Sequence, residues 1–467
     1  MADAGTIERL RQYLRELSPQ ARSLLVSEFE RCLLRGDDIA GAELVLQQLR
    51  RILREQREGA PRVSQPARLF FAPLEPFLVE DAGDHKHAGR LARNSLELLW
   101  TWIRRDLLPE ESAMFCAEVE EALAAGDQAK AASLPGVLYG RVAAAIAASF
   151  AATDEDEKAR RRLLAQIGTA RAGEDAAILQ HVLRGRGLLA TLAGQLPLQI
   201  VNLADEPLYE CKALIESTAA HDGDLFLYAL LTVMDRLAAP WQIIRFGTKA
   251  AGSNVAARVA ETRYGVAVTI VLTELERMVR ELRHDLHAGG GMAVGALLKS
   301  IHDCVRGLRT EIAIPVDSNW GRALSSQRTL IAELLRFEIE ETPGRVRRLL
   351  RARYEGDPRP AHALNPDDVA ETLAMVEFAC MCRHFAGELA LNEITRRALS
   401  DLRQYLDSAT RGLIESVRSA GPAERSFRQS QLDAACRLCG VAFGPDYAAE
   451  LAKAAELAAA EPVALRA

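Results

Sequence analysis

Apolar residues recur at helical spacing along almost the whole of this chain, and hardly anywhere with the alternation of a strand. In residues 254–287, Val268, Val271, Leu272, Leu275, Met278, Val279, Leu282 and Leu286 fall on one side of a helix turning about 100° per residue. The short segment EIAIPVDS (311–318) is the one strand candidate. Each amphipathic helix must bury its stripe against another. The expectation is therefore an all-α protein, a multi-helix bundle or a short helical array. Aromatic residues make up only 5%, so Leu, Ala, Val and Ile must build the core. That favours close helix packing over a β-sandwich.

Punctuation places the helices. Near the N-terminus they are expected at 5–16, 19–35 and 39–57, the middle one capped by Ser18, opened by Pro19 and closed by Gly36. The polar linker REGAPRVSQPAR (57–68) follows. The pattern then recurs: residues 15–44 align without a gap on 105–134, a shift of 90 residues. Pro19/Pro109, Gly36/Gly126 and Asp37/Asp127 are among the identities, so the residues that open and close the helix are kept. This reads as a duplicated helix-turn-helix unit near the N-terminus. The expected divisions are an N-terminal helical unit (1–58), a second copy (69–151), a central helical domain (152–315) and a C-terminal one (316–467). Helices are expected near 156–171, 174–193, 206–220, 224–238, 254–287, 293–312 and 322–354, the last interrupted around Pro343.

A net charge of −6 gives no reason to expect nucleic acid as a partner. The apolar stretches 142–152 and 225–234 fall short of the roughly 20 residues that span a bilayer, so no transmembrane segment is expected. The N-terminal segment lacks the apolar core of a signal peptide. Eight scattered cysteines then read as reduced thiols in a cytoplasmic, bacterial setting.

Histidine–aspartate pairs are the first chemical candidates. ELRHDLHAGGG (281–291) holds His284, Asp285 and His287, and His221-Asp222 and His302-Asp303 lie on either side of it. His284 falls opposite Leu275 on the polar face of its helix, where the helix dipole favours a cation near the last turn. Asp222 or Asp224 is placed to cap the helix that follows. In order alone, His181, His221-Asp222 and a later Asp285 or Asp303 resemble the His…His-Asp…Asp series of the HD phosphohydrolases. That resemblance implies a helical metal-dependent hydrolase with these side chains as ligands. His85 and His87, alternate residues of a loop, read as solvated.

Cys380 and His384, and Cys436 and Cys439, each lie about one helical turn apart, and together make the four donors of a zinc site. Core cysteines are the competing reading, because free Cys is among the most buried residue types. The glycines 289–291 suit a turn between helices. The basic run GRVRRLLRAR (344–353) turns Arg345, Arg347, Arg348, Arg351 and Arg353 around a narrow strip of Val346, Leu349 and Leu350. Such a face suits an acidic protein partner or, in a third reading, peripheral contact with an anionic membrane. Trp100 and Trp102 read as core anchors, with one of them partly exposed.

No Walker loop, dinucleotide fingerprint or nucleophile elbow is present. No cofactor is expected. The residues favour a non-catalytic scaffold, adaptor or regulatory protein that acts through protein–protein contacts. The metal-dependent hydrolase is the alternative, and whether the chain is an enzyme leans to no.

Overall fold

A computed structural model describes residues 65–79, 88–153, 155–287, 293–351 and 364–460, together with residues 13, 14, 25, 45, 46 and 49. The fold is all-α, with almost no strand. The chain divides into two compact units, one of residues 1–277 and 307–320, the other of 278–306 and 321–467.

The first unit contains α1 (Gln65–Phe71), α2 (Ser95–Trp102), α3 (Pro109–Ala124), α4 (Gln128–Ser133), α5 (Pro135–Ala151), α6 (Glu157–Ile167) and α7 (Ala170–Gln195). It continues through α8 (Asp205–His221), α9 (Phe226–Arg236), α10 (Ile244–Ala251) and α11 (Ala256–Ala260). Two further helices, α12 (Val266–His287) and α13 (Ala293–Glu311), contribute residues to both units. The described strands are a two-residue parallel pair, β1 (Leu78–Val79) and β2 (Leu91–Ala92).

Helix α7 packs on α2, α5, α8 and α9. Its buried residues include Ala176, Leu179, Leu183, Gly185 and Leu192. At Gly185 an added Cβ would come within 2.3 Å of a Leu225 methyl, so only glycine permits this approach. The boundary between α6 and α7 follows from local chemistry. Asp156 accepts the N–H groups of Lys158 and Ala159, Gly168 turns the chain at φ +119°, and the Thr169 side chain accepts from Ala172 N–H.

Residues 105–134, read from the sequence as the second copy of a repeat, contain a helix-turn-helix. Pro109 opens α3, Gly126 reverses the chain at φ +74°, and the Asp127 carboxylate caps α4 through Lys130 N–H at 2.9 Å. The first copy lies outside the described residues, apart from Leu25. Immediately before α3, the π-helical turn Ile103–Leu107 ends in a Leu108 N–H to Ile103 carbonyl bond of 2.9 Å.

Both tryptophans are core anchors, and neither is left partly exposed: Trp100 is 6% exposed and Trp102 2%. Trp100 packs with Phe70, Phe71 and Phe115, and Phe70 also meets Tyr139. One tract among the described residues, Gln128–Ala151, is long and apolar enough to cross a membrane by length and composition, with a third of its apolar window buried. It consists of two helices, of which α5 buries Leu138, Val142 and Ile146 and packs on α7.

The expected helix over 254–287 is broken in two. After α11 the chain makes a 3₁₀ turn at Arg263–Gly265 before α12 begins. The cause is tertiary. Tyr264 is buried against Phe226 and Phe246, and Gly265 approaches the Val259 carbonyl so closely that an added Cβ would lie 2.9 Å from it. The strand candidate 311–318 contributes one bridge, Ala313 to Val255.

The second unit contains parts of α12 and α13, then α14 (Asn319–Leu350), α15 (Pro366–His384), α16 (Ala386–Leu389), α17 (Asn392–Ser419), α18 (Pro422–Phe443) and α19 (Pro445–Ala460). Leu399, Leu402, Leu406, Leu413 and Val417 form the buried stripe of α17 and pack with Val376, Leu432 and Leu438 in one core. Contrary to expectation, α14 runs on through Pro343. The ring sits in a buried stretch with Thr342, whose hydroxyl bonds back to the Glu338 carbonyl at 2.8 Å, and packing outweighs the lost N–H.

Candidate functional site: a charge-balanced cleft in the first unit

The residues singled out from the sequence are occupied locally. His181 on α7 stacks on Tyr228 and places Nδ1 3.7 Å from an Asp224 carboxylate oxygen. His221 ends α8 with Nδ1 at 2.8 Å from the Ser217 carbonyl. Asp222 caps the 3₁₀ turn Gly223–Leu225, accepting Asp224 N–H at 3.1 Å, and also accepts Arg184 Nε at 3.0 Å. Asp285 lies 3.5 Å from His284, which is 83% exposed, and Asp303 lies 3.1 Å from His302, whose ring tilts onto Phe385. Asp285 and Asp303 belong to the second unit, and His181, His221 and Asp222 to the first. Each aspartate has an immediate structural partner. The glycine turn after α12, with His85 and His87, lies outside the described residues.

Cys380 on α15 directs its thiol at the Val441 carbonyl, 3.8 Å away. His384 is exposed at the end of α15. Burial pushes the Cys436 thiol up to about 11 and the Cys439 thiol up to about 12. Among the described residues, no three His, Cys, Asp or Glu side chains are grouped to hold a metal ion.

The described arginines of 344–353 have partners within the unit. Arg345 pairs with Glu371 and Asp368, and Arg348 with Glu341 at 2.8 Å. Arg347 and Arg351 both lie over the Tyr405 ring, at 5.6 and 5.5 Å. Arg353 lies outside the described residues.

A different place gathers polar and charged side chains around one opening. Between α7 and α8 the chain leaves helix over 196–204, because Pro197 and Pro207 bracket a stretch with no helical stripe. This segment, the start of α8, the end of α10 and the Gly252–Asn254 turn enclose an open cleft of about 630 Å³.

Its walls are held from behind. Gln242, almost fully buried, accepts Leu203 N–H at 2.6 Å through Oε1 and donates to the Val201 carbonyl at 3.2 Å. Arg245 donates to Glu311 at 2.8 Å, to Asn202 Oδ1 at 2.8 Å and to the Leu203 carbonyl at 3.1 Å. Gly252 turns the chain in the left-handed region at φ +57°, Ser253 caps the Val255 N–H, and Asn254 accepts from Ala313 N–H at 2.8 Å. Asp205, at the first position of α8, is held at φ +33°, in the region L residues avoid.

The cleft contains Arg245 and Lys249 against Asp205 and Glu311, so its formal charge balances. Its other polar side chains are Asn202, Thr248, Ser253 and Asn254. The Tyr209 hydroxyl beside Lys249 holds that ammonium above its ordinary value, with Asp205 adding to the effect. Neither His nor Cys lines the cleft. At its edge, Val201 is 71% exposed, Tyr209 54% and Val255 46%, each next in sequence to a lining residue.

Sequence reasoning passed over Gln242, Arg245 and Lys249, because one amide and two cations in a short helix carry no motif. The available signal was the break in helical periodicity at QLPLQIVNLADEP (195–207). Comparison with family models, curated proteins and solved structures finds no match for this chain.

Proposed function

We propose that this chain is a non-catalytic helical scaffold or adaptor acting through protein–protein contacts, and that a partner docks at the cleft over 196–204, α8 and α10. The observation that carries the reading is a braced cleft with an apolar edge and no activated group inside it. Val201, Tyr209 and Val255, each next in sequence to a lining residue, are exposed apolar side chains available to a partner. The cleft cations argue against nucleophilic chemistry: Lys249 is stabilised as the ammonium and Arg245 is committed to Glu311, Asn202 and Leu203. A bacterial cytoplasmic setting belongs to the same proposal, supported by seven described cysteines with no disulfide among them.

Photo-crosslinking in the producing cell tests it. A photoreactive residue at Val201 or Val255 is expected to form a discrete adduct with a second protein, and one at exposed Phe337 in the other unit is not. Gln242→Ala, which unties the segment from behind, is expected to abolish the adduct. Equal adducts from all three positions, or none from Val201 and Val255, would remove the cleft as a docking site.

A further inference from the structure

We infer that the cleft receives a short, uncharged segment of partner polypeptide in extended conformation, paired main chain to main chain with the N–H and carbonyl of Asn202. This rests on reading the cleft as a docking site and adds the chemistry of the occupant.

Three features point to it. The first is the alternation along 200–203. Ile200 N–H and carbonyl are bonded to Arg236 and Ala238, and the Val201 carbonyl and Leu203 N–H turn inward to Gln242. Between them, the Asn202 N–H and carbonyl have no bond to any described residue, although Asn202 is exposed and its side chain is fixed by Arg245. An exposed residue held in a braced, non-helical segment offers one donor and one acceptor to an added strand.

The second is charge. Two cations against two carboxylates give the cleft no net field with which to recruit a nucleic acid backbone or an acidic or basic segment. The remaining groups are amides and hydroxyls that both donate and accept, as a peptide bond does. The third is shape. Small-molecule sites enclose most of their ligand in apolar walls, whereas this cleft is open and polar within. Leu203, Ala204 and Leu208 also line it, and exposed Val201 and Val255 are next in sequence to lining residues, where side chains of an extended segment could meet them.

The full chain is used to select binders from a phage-displayed library of random linear peptides. The best binder is then synthesised with one backbone N-methyl group at each position in turn. Affinity is expected to fall about tenfold or more at the one position whose N–H meets the Asn202 carbonyl, to fall similarly on Val201→Asp, and to hold on Phe337→Asp. It is expected to change little with added salt, because no counterions are released. A library without a cleft-dependent binder overturns the inference, as does a binder that tolerates N-methylation throughout or weakens steeply with salt. If rim-specific crosslinks persist beside such a result, the docking reading survives and the extended, uncharged occupant does not. If the rim-specific adducts are also lost, both fall.

Discussion

Asp175 is 1% exposed on α7. Its Oδ2 accepts the Ala92 N–H at 3.2 Å, and its Oδ1 lies 3.6 Å from Arg171 Nε. The carboxylate thereby fixes the turn between β2 and α2 to the central helix. Burial raises its pKa above the ordinary 3.8, and the bonds from Ser95 and Ala92 only partly offset this. Protons therefore bind the folded state more tightly than the unfolded one. The stabilisation from protonating Asp175 is complete below the unfolded value near 3.8 and is lost as pH rises through the raised folded value. Denaturant titrations across that window are expected to show this dependence, and Asp175→Asn to remove it. Asp175→Ala leaves a buried N–H without its acceptor and is expected to cost about 1–3 kcal/mol. Unchanged midpoints in both variants would show that the carboxyl is spectator to the fold. Nothing in the sequence distinguishes this aspartate from the acidic residues around it, since its importance lies in Ala92, 83 residues away.

Helices were legible where local chemistry sets them and illegible where tertiary contact overrides it. Asp156, Thr169 and Gly126 act at their own positions, and the starts and stops of α6, α7 and α3 follow from residue type alone. The apolar stripe of 254–287 is genuine, but Tyr264 breaks it by turning into a pocket of Phe226 and Phe246 that no local window contains. Pro343 is the converse, a helix breaker overruled by burial. The cleft was legible only as a gap between helices, because its bracing residues come from distant segments. Gly265→Val puts a branched side chain against the Val259 carbonyl and is expected to destabilise the protein by about 1–3 kcal/mol or more. Thermal unfolding measures it, and a melting temperature equal to that of the parent would mean the 3₁₀ turn relaxes freely. The open surface at Gly136 provides the control: alanine there meets nothing within 4 Å and is expected to be neutral.

At the scale of the whole molecule, the described cysteines are buried or half-buried. Burial raises the thiols of Cys116, Cys211, Cys380, Cys382, Cys436 and Cys439, with Cys211 at about 11 and Cys382 at about 12. Since the thiolate is the nucleophile, alkylation of these positions near neutral pH is expected to be slow in the native chain and fast after denaturation. Peptide mapping after a timed iodoacetamide pulse resolves each site; labelling of native Cys439 at the rate of a free thiol would contradict its burial. The ion pair that braces the cleft has a further consequence, in time. Arg245 and Glu311 are 66 residues apart in sequence. At the roughly 5–20 residues per second of synthesis, about 3–13 s pass between the making of one and of the other. A nascent chain carries the unfinished cleft through that interval, so a partner that recognises the closed form meets only chains extended past residue 311.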